Sequence, residues 1–165
     1  MNIKKVSYEQ YIKKFNFLYY NVIDKKEQFK VDVPQNDINN IYYINKNSCV
    51  CCNINKKEQI ITIKGLIAKK GYGSTILNYI TKKYNKNYFI ILDSFNGNNN
   101  FYLKNGFKIY KKSKYNPLYD PLNLNKNKED VFYYFYYNGT LQHLKYNDVL
   151  RGGNIWTEYI LLFYS

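Results

Sequence analysis

Arginine is almost missing: Arg151 stands alone beside 24 lysines, in a chain of 165 residues with a formal charge of +13. Guanidinium is the better bidentate reader of bases and phosphates, so sequence-specific nucleic-acid recognition has little to work with. The lysines are scattered along the chain rather than gathered into one stripe. Together with abundant Asn, Ile, Tyr and Phe, they are what an AT-rich coding sequence yields, and they imply weak attraction to acidic partners. Histidine is equally scarce. His143 is far from the three cysteines of "NSCVCCNIN", and no second cluster completes a zinc site. Strand alternation sends Cys49 and Cys51 to one face and Cys52 to the other, as buried thiols of an intracellular protein. Long apolar runs are also lacking. "YILLFYS" is too short to span a bilayer, and "MNIKKVSYEQYIKKF" has no apolar stretch after its lysines. The expectation is a soluble protein of the cytoplasm or nucleus with no membrane partner.

What is present reads as one domain over 1–165 with a mixed α/β sheet. "VSYEQYIKKFNFLYYNVI" has helical spacing, and "DKKEQFKVDVPQNDINN" is a polar loop. "IYYI", "SCVCCNI" and "EQIITIK" predict three antiparallel strands, the third ending at Gly65. After "GYG", Ile76, Leu77, Ile80 and Tyr84 share a helical face, and "YFIIL" is a strand covered on both sides. That crossover makes "QIITI" and "YFIIL" parallel. "NGNNNFYLKNGF" gives a short helix stopping at Gly106, "FKIYKK" and "VFYYFYY" are further strands, and "IWTEYILLFY" is a candidate last one.

The turn "AKKGYGS" between the third strand and its helix invites a phosphate. A P-loop needs a lysine between its last glycine and Ser/Thr, and Ser74 follows Gly73 directly. A dinucleotide fingerprint needs a third glycine where Ile76 stands. A basic glycine turn remains. Either it aims amide N–H groups at an anion from the positive end of the helix, or it is an ordinary connection.

Some thirty residues on stands "FYLKNGFKIY", and the two pieces together resemble the acetyl-CoA-binding core of the GNAT superfamily of N-acetyltransferases. The pattern there is a strand, Arg/Gln-x-x-Gly-x-Gly/Ala opening a helix, a strand, and a helix whose tyrosine precedes Gly-Phe by four residues. Ile63, "KGYGS", "YFIIL" and Tyr102 with Gly106–Phe107 match it in order. The resemblance covers roughly residues 41–111 and leaves 113–165 as the acceptor side. Two positions depart from it. The Arg/Gln position is Ala68, where Lys69 or Lys70 can stand in, and the asparagine expected seven residues before the tyrosine is Phe95, with Asn96 and Asn98 nearby.

The resemblance implies a GNAT-like acyltransferase fold and an enzyme moving the acetyl group of acetyl-CoA to an amine-bearing acceptor, protein or small molecule. It implies a coenzyme seat at Ile61, Thr62 and Ile63, and at Lys69, Lys70, Gly71, Tyr72, Gly73 and Ser74, with Asn96 or Asn98 in reach. Tyr102 matches the general acid, since a phenol of pKa ~10 suits a departing thiolate of similar basicity. For the base, Glu58 resembles in approximate position a glutamate of some histone acetyltransferases; Asp93 at a strand end and His143 are alternatives, as is relay through water. Two other readings stand beside this one: an idle acyl-CoA-binding or interaction module, prompted by Ala68 and Phe95, and a basic nucleic-acid-binding domain.

Overall fold

Ser7 starts the first helix with a capping box: its hydroxyl accepts from the Gln10 N–H, and the Gln10 side chain accepts from the Ser7 N–H. The structure, a computed structural model, describes residues 2–25, 31, 33–95, 98–112 and 132–137, with only the main chain of Phe95 and Phe132. Strand β1 is Lys4–Val6 and helix α1 Tyr8–Asn21, followed by β2 Asn40–Asn45, β3 Ser48–Asn55 and β4 Ile60–Ala68. Then come α2 Gly73–Tyr84, β5 Phe89–Phe95, α3 Asn99–Lys104, β6 Lys108–Lys112 and β7 Phe132–Tyr136. The candidate strand "IWTEYILLFY" and His143 lie outside the described residues.

The strands form one seven-stranded sheet in the order β1-β2-β3-β4-β5-β7-β6. β2, β3 and β4 are the expected antiparallel meander, and β4 and β5 pair in parallel across the α2 crossover. β1 was not legible. Lys4 and Lys5 read as a polar start, yet their main chain pairs antiparallel with Ile44 and Tyr43. The outer strands β1 and β6 carry lysines 4, 5, 108, 111 and 112, charges that discourage edge-to-edge association.

β4 does not stop at Gly65 as expected. Cys51 faces Lys64 and Cys49 faces Ile67, so Gly65 and Leu66 both stand opposite Val50. This bulge absorbs one extra residue, and Gly65 takes the positive φ of 52° that it requires. The strand therefore bends at Gly65 and continues.

Each sheet face buries its own cluster. Tyr11, Phe15 and Leu18 of α1 pack on Tyr42, Cys49, Cys51 and Ile67. Ile76, Leu77 and Ile80 of α2 pack on Cys52, Ile61, Ile63, Ile90 and Leu92 on the opposite face. Cys49 and Cys51 thus face away from Cys52, as alternation predicts. Each large side chain so buried contributes ~1.5–3 kcal/mol, and the two helices thereby hold β4 from opposite sides, while β5 is packed by α2 alone of the two.

Candidate active site

β4 and β5 are hydrogen-bonded neighbours for three rungs only, Ile60–Phe89, Ile61–Ile90 and Thr62–Ile91. Beyond Thr62, β4 stays with β3 while β5 stays with β7, so the sheet opens between Ile63 and Leu92. The bulge at Gly65 lies just past the opening and turns β4 away.

A cleft of about 470 Å³ fills this gap. Ile63, Lys64, Gly65 and Leu66 line it from β4, and Leu92, Asp93 and Ser94 from β5. Asn98 and Tyr102 line it as well, and Pro34, Gln35 and Asp37 of the loop before β2 add a further wall. The chain is strongly basic overall, but among the described residues the cleft is lined by two carboxylates, Asp37 and Asp93, against one lysine.

Tyr102 stands on the short helix α3 with its ring against Phe101, Phe107 and Phe135, at centroid distances of 5.0, 6.0 and 5.2 Å. Gly106, at φ 91°, ends that helix and lets the chain turn back so that Phe107 meets the ring. Burial pushes the phenol up to about 12; a hydrogen bond from Ser94 pulls it down and the Asp93 charge adds to the rise. Tyr102 thus keeps its proton throughout the neutral range, at the margin of the cleft.

The basic glycine turn closes the other end of β4. Lys69 N–H donates to Asn47 O at 2.9 Å, and Tyr72 N–H donates to Lys69 O at 3.0 Å. Gly71 has φ 89° with open space around it, so its backbone angle, not crowding, calls for glycine. α2 then opens at Gly73 without a side-chain cap and without an acidic residue in its first turn. The first N–H groups of a helix have no partner within it, and the half-buried Lys69 and exposed Lys70 shortly precede these. A Cβ on Gly73 would meet the Phe101 ring at 3.0 Å, so α3 lies directly over this turn.

Of the residues singled out in the sequence, Ile63, Asp93, Asn98 and Tyr102 line one cleft. Ile61 is buried and Thr62 half-buried on the last paired rungs leading to it, and residues 69–74 form the adjoining turn. Glu58 is not among the cleft residues. It sits in the β3–β4 turn, its N–H donating to Asn55 Oδ1 at 3.0 Å, and three paired rungs, ~10 Å of strand, separate it from Ile63. Asn96 lies outside the described residues. Sequence reasoning missed Ser94, Phe101 and the 34–37 wall. Ser94 adjoins Asp93 and could have been suspected; nothing in the sequence reveals that Pro34 reaches β4.

No family model matches the chain, and no curated protein matches it. Solved structures do. A single-site mutant of the spermidine N-acetyltransferase SpeG from Vibrio cholerae superposes with a TM-score of 0.57 at 12% identity, over 82% of this chain and 94% of that one. The ribosomal-protein-S18-alanine N-acetyltransferase of Escherichia coli gives 0.56 at 10%, over 82% and 91%. Tetrahymena GCN5 gives 0.53 at 13%, over 84% and 97%. The chain has the GNAT acetyltransferase fold.

Proposed function

We propose that this protein is an N-acetyltransferase that moves the acetyl group of acetyl-CoA directly to an amine. One observation carries the reading: a parallel strand pair that parts at Ile63 and Leu92, with a protonated tyrosine at the gap and an uncapped, basic helix start at the end of the same strand.

The residues present fit the coenzyme. The α2 start and Lys69–Ser74 suit a pyrophosphate: glycines leave the main chain approachable, and the first turn of α2 carries no carboxylate. The opening between β4 and β5 combines apolar Ile63, Leu66 and Leu92 with strand main chain that β5 no longer pairs, which suits the alternating apolar and amide character of pantetheine. Bound there, the coenzyme supplies an activated acyl carbonyl. A main-chain N–H near Ile63 holds the carbonyl oxygen as negative charge develops, worth ~3 kcal/mol in such sites.

The neutral acceptor amine forms the new C–N bond as the C–S bond breaks. Asp93, which lines the cleft, takes the ammonium proton directly or through water, and Tyr102 gives its phenolic proton to the leaving thiolate. Asp93 is preferred to Glu58 because Glu58 stands outside the cleft. The acceptor is a primary amine, on a protein or a small molecule. Ala68 favours one alternative, a module that binds acyl-CoA without turning it over, because it leaves the loop without the side chain the family pattern carries there.

A coenzyme-release assay with acetyl-CoA and a panel of amines tests the proposal. Thiol release that depends on amine supports it. Stabilisation by acetyl-CoA with no release on any amine favours the idle module, and salt-sensitive nucleic-acid binding with no coenzyme effect would overturn both.

A further inference from the structure

The bulge that opens the cleft is held from outside the cleft. Tyr11, wholly buried on α1, donates its hydroxyl to Gly65 O at 2.8 Å across the width of the core. A Cβ at Gly65 would collide with this hydroxyl and with the Pro34 ring, so phenol, bulge and loop wall meet at one point with no room to spare. Pro34 is itself held by α1, because Tyr8 Oη donates to Pro34 O at 3.2 Å, and Tyr42 Oη donates to the neighbouring Gln35 O at 3.2 Å. The three rings pack together, Tyr8 on Tyr42 at 5.5 Å and Tyr11 on Tyr42 at 4.9 Å. Two of the elements so joined, residues 34–35 and residues 63–66, adjoin one another and both line the cleft.

We propose that Tyr11 is a positioning residue of the acetyl-CoA site: through its hydrogen bond to Gly65 it fixes the β4 bulge, and with it the distance between the parted strands. The inference rests on the acetyltransferase reading. Packing alone does not account for the hydroxyl. A phenylalanine would fill the same space, whereas a buried phenol requires a partner, and this one takes the carbonyl at the bend. Loss of the donor leaves Gly65 O unpaired and frees the bulge to shift along β4, which redirects Ile63 and Leu66 in the coenzyme seat.

The test compares wild-type protein with Tyr11→Phe, Gly65→Ala, and Tyr20→Phe as a control, Tyr20 being exposed on the same helix. Two readouts are taken on each folded protein: amide hydrogen exchange over residues 63–67, and acetyl-CoA affinity by calorimetry. Tyr11→Phe is expected to accelerate exchange at 63–67 and weaken affinity about fivefold, with Gly65→Ala acting in the same direction and Tyr20→Phe on neither. Faster exchange with unchanged affinity would reduce Tyr11 to a packing residue and overturn the proposal, as would unchanged exchange. Wild-type protein that fails to bind acetyl-CoA overturns the acetyltransferase reading itself; wild-type protein that binds while Tyr11→Phe binds equally well overturns the positioning role alone.

Discussion

The Asn105 side-chain amide donates to Ser74 Oγ at 3.2 Å and to Phe101 O at 2.7 Å, tying the end of α3 to the first turn of α2. These residues belong to the two sequence pieces that together suggested a coenzyme site, and the hydrogen bond makes them one structure. Asn105→Ala is expected to cost about 1 kcal/mol of stability and to weaken acetyl-CoA binding several-fold. Urea denaturation and calorimetry measure the two effects. A stability loss with unchanged affinity would mean that α3 does not hold the turn in its binding shape.

Tyr102→Phe keeps the ring contacts with Phe101, Phe107 and Phe135 and removes only the phenolic proton. Turnover should fall about 10²-fold or more, with the acetyl-CoA dissociation constant little changed. Because its phenol is pushed up to about 12, Tyr102 should set no alkaline limit to wild-type activity below about pH 10. Full turnover in the variant would remove it from the role of acid.

The two glycines of the turn should fail differently. Gly73→Val drives a branched side chain into the Phe101 ring, which lies 3.0 Å from the Cβ position, and crowds the helix start; coenzyme affinity should drop about tenfold or more. Gly71→Ala meets no atom within 4 Å and instead strains a backbone at φ 89°, costing ~1 kcal/mol of stability. Equal effects of the two on coenzyme binding would contradict this division.

Alkali should unfold the protein earlier than its size suggests. Burial pushes the Cys49 and Cys51 thiols up to about 12 from an ordinary 9.0, and burial raises Tyr11 and Tyr43 as well. The folded state holds these protons more tightly than the unfolded chain. The resulting stabilisation is complete below about pH 9 and is lost as pH climbs towards 12. The midpoint of urea denaturation should fall steadily across that window; a flat profile would show that these groups titrate normally.

Much of this was legible because the elements are periodic. Ile76, Leu77 and Ile80 announce α2, and the unbroken "YFIIL" announces a central strand. The seat of Tyr102 followed from its spacing to Gly106 and Phe107. What stayed hidden depends on contacts between distant residues. β1 forms because Lys4 and Lys5 offer main chain to β2, a property no side chain signals. The bulge at Gly65 looked like a strand end, since an isolated glycine marks either one. The wall at Pro34 needs tyrosines from α1 and β2 to bring it over β4, 31 positions away in sequence. Glu58 illustrates the converse: a position close in the linear pattern stands three strand rungs before the opening.

A structure of the protein with acetyl-CoA tests the central claim most directly. The account predicts pyrophosphate on the N–H groups opening α2 at residues 71–75, pantetheine between Ile63 and Leu92, and the thioester sulfur within hydrogen-bond reach of the Tyr102 hydroxyl. Coenzyme bound elsewhere on the sheet, or β4 and β5 closed against each other with no coenzyme between them, would contradict it.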